Sequence, residues 1–116
     1  MSNIVKAVYA GGRSLFTRGV LQYNYGMVLR LEGLELPSSF EVDFSNSDIP
    51  AHRSISVTGA DGEVMIPDEL LSTGLPVYAF IYLHPTDESG MTVYKVTIPV
   101  MSRPQRPGQQ QARPEI

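Results

Sequence analysis

GEVMIPDELLSTGLPVYAFIYLHPTDESGMTVYKVTIPV, Gly62 to Val100, reads as strand, one helical turn, long strand, acidic loop and strand. Val64 and Ile66 mark the first strand. After them the alternation stops: Pro67 pre-sets φ, Asp68 is placed to accept from first-turn amides, and Gly74 suits a left-handed stop. Such a helix is at most one to two turns, and a helix this short is marginal alone, so Leu70 or Leu71 must dock it against a sheet. Val77 to Leu83 follows with both faces apolar: Val77, Ala79, Ile81 and Leu83 on one, Tyr78, Phe80 and Tyr82 on the other. That pattern belongs to a central strand covered on both sides, or to one whose aromatic face meets a partner. Met91 to Val100 is expected to pair with it across the loop Pro85 to Gly90. In that strand Tyr94, Val96 and Ile98 face in, Lys95 and Thr97 are exposed, and Pro99, which cannot donate to a ladder, marks the end.

Outward from this stretch the two-residue period recurs. Asp61-Gly62 is the strongest tight-turn signal in the chain, since both central residues of a type I′ turn need positive φ, so Arg53 to Thr58 and Glu63 to Ile66 should pair antiparallel. Phe40, Val42 and Phe44 alternate with Glu41, Asp43 and Ser45, a half-buried strand with its acids toward water. Asn46 to Pro50 reads as a polar turn. Leu21 to Tyr25 and Met27 to Leu31 alternate around Gly26, which suggests a bulge or a close backbone approach. Ile4 to Tyr9 is a first strand, closed by a Gly11-Gly12 turn. The expected fold is all-β: an antiparallel β-sandwich of immunoglobulin-like type with about seven strands and one short helix, a small barrel being the competing closure.

Gln22 to Pro37, QYNYGMVLRLEGLELP, with Ile66 to Phe80 and Val93 to Val100, resembles the N-terminal domain of baseplate upper proteins and related tail-fibre proteins of prophages in Gram-positive bacteria. The match covers most of the chain. The ending RPQRPGQQQARPEI departs from the threonine-proline and glutamine-alanine continuation of that family, in which receptor binding belongs to later domains. The resemblance implies a virion protein of the phage tail, made in the bacterial cytoplasm. It also implies other tail and baseplate proteins as partners, and self-association in which a trimer is favoured.

Composition sets independent bounds. At 116 residues the chain is one domain, read as residues 1–101 followed by a Pro/Gln/Arg-rich tail or linker over 102–116. With no cysteine, it can use neither disulfides nor thiolate chemistry nor cysteine-ligated zinc. No apolar run approaches the roughly 20 residues of a membrane span, and the start SNIVKAVYAGGR lacks the layout of a signal peptide. The net charge is −3; Arg103, Arg106 and Arg113 against Glu115 leave the tail at +2, so the body carries −5. An acidic body does not neutralise phosphates, which argues against nucleic acid as a partner.

A catalytic constellation is not expected. His52 and His84, with Asp48 and Asp87 near them in sequence, have no metal-ligand spacing. The acid pairs Asp61/Glu63, Asp68/Glu69 and Asp87/Glu88 are accounted for by a turn, a helix start and a solvated loop. Ser14, Ser38 and Ser39 lie in no nucleophile elbow, and Gly11-Gly12 lacks the residues of a phosphate cradle. No cofactor is implied. The ambiguous feature is the tyrosine set, Tyr23, Tyr25, Tyr78, Tyr82 and Tyr94, which can pack under sheets, anchor a protein interface or stack on sugar rings. Tyr78, Phe80, Tyr82 and Tyr94 are the interface candidates. The expectation is a non-enzymatic structural and attachment domain; the alternative is a carbohydrate-binding β-sandwich module recognising cell-surface glycans.

Overall fold

Alternating apolar residues become ten strands and one short helix among the described residues of the computed structural model, which are 3–48, 54–83 and 92–102. In chain order these are β1 (Ile4–Val8), β2 (Ser14–Phe16), β3 (Val20–Leu21), β4 (Val28–Glu32), β5 (Ser39–Ser45), β6 (Ile55–Ala60), β7 (Glu63–Met65), α1 (Asp68–Leu71), β8 (Val77–Leu83), β9 (Thr92–Ile98) and β10 (Val100–Met101). Eight strands form one sheet in the order β1-β4-β7-β6-β5-β8-β9-β2, and β3 pairs with β10.

Chain length dictates what that sheet must do. β1 and β2 are consecutive in sequence but lie at opposite edges of the sheet. Laid flat, seven strand spacings would separate them by roughly 33 Å. The steps from Val8 to Ser14 reach at most about 20 Å, so the edges have to curl toward each other. Gly11, at φ 116°, supplies the turn within this link. The seam is then stitched from both sides. The Tyr9 hydroxyl, just past β1, donates to the Lys95 carbonyl of β9 at 2.7 Å, and its ring meets Tyr94 edge-on at 5.2 Å. Arg18 donates from Nη2 to the Ile4 carbonyl of β1 at 3.1 Å, while Thr17 and Val20 on either side donate their N–H groups to the carbonyls of Thr97 and Pro99. The result is an all-β, nearly closed, barrel-like sheet with one small helix.

Inward residues fill its interior. Val5, Leu29, Val42, Phe44, Ile81 and Ile98 are wholly enclosed, and Leu71 of α1 joins the same core. α1 has no side-chain cap. Asp68 instead accepts from the Gly26 N–H at 2.9 Å, while the side-chain amides of Gln22 and Asn46 donate to the carbonyls of Ser72 and Leu70 at its far end. The turn is therefore held by the body of the protein, as its length requires.

Several expectations need correction. The pairings are not all antiparallel: β1 with β4, β2 with β9 and β3 with β10 run parallel. The reason is the seam, since a chain that crosses from one edge to the other and returns lays its strands beside distant partners in the same sense. The count exceeds seven because β2, β3 and β10 are two or three residues long. Leu21 to Tyr25 is not one strand; Tyr23 has φ 69° and Gly26 φ 78°, and the chain turns there. Asp68 does not cap its own helix, and Thr97, expected to be exposed, is buried. Asp61 and Gly62 do take the two positive φ values of the expected turn, and β8 pairs with β9 along its whole length. The loop Pro85 to Gly90 and the tail from 103 lie outside the described residues.

Two outcomes follow. Gly33 has φ 85°, and a Cβ there would stand 2.1 Å from the Tyr9 carbonyl oxygen; Gly33→Ala should cost about 2 kcal/mol or more in urea unfolding, because it adds left-handed strain to a backbone clash. Burial, and secondarily Tyr94, pushes the Tyr9 phenol well above its ordinary value of 10.0. A raised acid keeps its stabilising effect below the unfolded value and loses it as pH rises beyond. Stability should fall above about pH 10, and Tyr9→Phe, at a cost of about 1 kcal/mol near neutrality, should make that fall shallower.

Candidate functional site

Successive residues of a strand face opposite sides, so a filled barrel leaves its second side-chain set on the outside. Register aligns that set into rows across β2, β9, β8, β5 and β6. One row is Phe16, Thr97, Tyr78 and Ser45. The next is Ser14, Lys95, Phe80, Asp43 and Ser56. Beyond it Tyr82 stands opposite Val93.

The four interface candidates sit differently in this lattice. Phe80 is only 4% exposed although it lies on the outer side; its neighbours in register are Lys95 and Asp43, and the Lys95 ammonium pairs with Asp48. Tyr78 is half-buried, with that ammonium 5.3 Å from its ring centroid, a cation–π contact. Tyr82 is half-buried and keeps an open side. Tyr94 faces the other way, packed on the core and against Tyr9. Thus Tyr78 and Tyr82 keep part of their surface open, whereas Phe80 is already enclosed by this chain. Phe16, which the sequence reading passed over, is 73% exposed on β2. The only signal for it was a phenylalanine in a three-residue strand.

At the β8–β9 end of the barrel these elements surround a groove of about 870 Å³. The connection from β4 to β5 contributes Gly33, Leu34, Glu35 and Pro37; β5 contributes Ser39, Phe40, Glu41 and Asp43; β6 contributes Ser56; and β8 and β9 contribute Tyr82, Leu83, Thr92 and Tyr94. Among the described residues three carboxylates line it and no cation does. The Ser56 hydroxyl donates to Asp43 at 2.6 Å. Burial, and then the Asp43 charge, raises the Tyr82 phenol above its ordinary value, so that its hydroxyl remains a proton donor. The groove therefore offers hydrogen-bond acceptors, the rings of Phe40, Tyr82 and Tyr94, of which Tyr82 alone is on the outer side of the sheet, and a negative field. It suits a partner bearing cations or hydroxyls.

The other acids have structural uses. Glu63 accepts from Arg30 Nε at 2.8 Å, Asp61 forms the β6–β7 turn, and Asp68 binds the Gly26 amide. Among the described residues no group of three or more histidines and carboxylates is placed to hold a metal ion; His52, His84, Asp87 and Glu88 lie outside them. Also among the described residues, no helix is long and apolar enough to cross a membrane.

Removing the Asp43 charge should lower the pH at which Tyr82 ionises. Ultraviolet titration of Asp43→Asn against the parent, with Tyr82→Phe to assign the transition, should show the shift; an unmoved transition would mean that the two groups do not share the groove as described.

No protein-family model matches the chain and no curated protein matches it, so the reading of this surface rests on its own geometry.

Proposed function

We propose that this chain is a non-enzymatic docking domain, acting by self-association and by attachment to neighbouring proteins as the N-terminal module of a phage baseplate or tail-fibre protein does. The motifs Gln22 to Pro37, Ile66 to Phe80 and Val93 to Val100 supply the resemblance, and with it a place in the virion tail and a preference for a trimer. The observation that carries the docking role is the outer strip Phe16, Tyr78, Tyr82 and Val93. Phe16 is 73% and Val93 37% exposed on a barrel whose interior is already filled by its own side chains. Exposed aromatic area on the outside of a filled barrel is area that a partner can cover, and tyrosine contributes much of such contact at little rotamer cost. The antiparallel run β7-β6-β5-β8-β9 supports an immunoglobulin-like sandwich as the finer description of the fold; the parallel edges turn it toward a barrel.

A carbohydrate-binding module is the second reading, favoured by Tyr82 and the groove carboxylates. It ranks lower because Tyr94, another ring of the groove, is turned against Tyr9 at an interplanar angle of 76° and does not extend the Tyr82 face into a flat platform.

Light scattering over a concentration series should show an oligomer that Phe16→Asp drives toward monomer with circular dichroism unchanged. A strict monomer at high concentration contradicts the proposal. Binding of cell-wall polysaccharide that is lost in a folded Tyr82→Ala chain would transfer the conclusion to the glycan module.

A further inference from the structure

The outside of the barrel is electrostatically two-sided. Glu35, Glu41 and Asp43 line the groove. Among the described residues a shallow depression elsewhere is lined by Ile4, Lys6, Arg18 and Arg30, three cations without a carboxylate. Lys6 and Arg30 are register partners on β1 and β4. Both lie on the outer side, since their neighbours Val5, Ala7, Leu29 and Leu31 point into the core. Glu63 pairs with Arg30 at the margin of this face and tempers its charge without reversing it.

Strand order fixes where the two surfaces stand. β1, which carries Lys6, is first and β5, which carries Glu41 and Asp43, is fifth of eight strands. In a sheet whose first and last strands approach each other, four strand positions are half the circumference, so the outward charges of β1 and those of β5 look away from each other. A single copy cannot bring them together. Two copies can, and the contact so made joins different patches on each partner.

We infer that the acidic groove is occupied by the Lys6/Arg18/Arg30 face of a second copy of this chain, a head-to-tail contact. This rests on the self-association proposed above and adds its geometry: head-to-tail contacts close into a ring where the rotation permits and otherwise continue into a filament, unlike a two-fold contact through one shared patch. Cations of one copy meet Glu35, Glu41 and Asp43 of the next, and the Tyr82 ring lies at the centre of the contact, where desolvation strengthens the charge pairing. The negative body, which resists indiscriminate association, restricts the attraction to this one pairing of patches.

Charge reversal and mixing test it. One variant carries Glu35→Lys and Glu41→Lys, the other Lys6→Glu and Arg18→Glu; since Arg18 also serves the seam, Lys6→Glu alone is run beside it, and circular dichroism checks every chain. Sedimentation of the parent should show association that weakens at least about tenfold from low to high salt. Each reversed variant alone should associate at least about tenfold more weakly than the parent, because it opposes like charges. Their equimolar mixture should be heavier than either variant alone, since every contact between unlike variants is again complementary. Parent association indifferent to salt, or a mixture no heavier than its components, overturns the head-to-tail contact. If that association is still lost in Phe16→Asp, self-association itself survives. A monomeric parent removes both.

Discussion

The link from Val8 to Ser14 is too short to join the edges of a flat eight-stranded sheet, and the rest of the molecule follows from that shortage. Because the edges must approach, Tyr9 reaches Lys95 and Arg18 reaches Ile4. Once they do, the inward side chains close on one another and the interior is occupied by valine, leucine, isoleucine and phenylalanine. What the protein offers to other molecules is then its exterior and its rims.

That exterior has an apolar strip, an acidic groove and a basic face, each set by register. β5 aligns Asp43 with Phe80 of β8, and β9 places Lys95 on the other side of the same residue. One aromatic is thereby enclosed between two charged strands, and its neighbours Tyr78 and Tyr82 keep open sides. β1 and β4, running parallel, bring Lys6 and Arg30 together on the far side of the barrel. In the docking role proposed for it, charge would set orientation and aromatic area would contribute most of the affinity.

Much of the fold is legible in the sequence where the signal is local. Phe40, Val42 and Phe44 announce β5 by strict alternation; Asp61-Gly62 announces its turn because few residue pairs accept two positive φ values; Pro99 ends β9. What stayed hidden is non-local. β2 is three residues long and draws its stability from β9, some eighty residues away, so nothing in Ser14-Leu15-Phe16 itself distinguishes it from a loop. Parallel pairing has no signature in either strand alone. Tyr23 and Tyr25 keep the alternation of a strand while the chain turns, because tertiary contacts overrule the period. For the site, Tyr78 and Tyr82 are legible as one aromatic face of β8, but nothing local says whether that face is covered or turned outward. The groove was not, since Glu35, Glu41 and Ser56 gather around Tyr82 only after β5, β6 and β8 have paired.

Closure of the seam is the claim on which the outward-facing account stands, and proton–proton contacts in solution test it most directly. A nuclear Overhauser spectrum should show the Tyr9 ring in contact with the Tyr94 ring, whose centroid is 5.2 Å away, and the Arg18 guanidinium close to the β1 backbone at Ile4. A Tyr9 ring in contact only with the strand that β1 pairs with, and no cross-peak to β9, would show an open sheet with an accessible interior face and contradict the account.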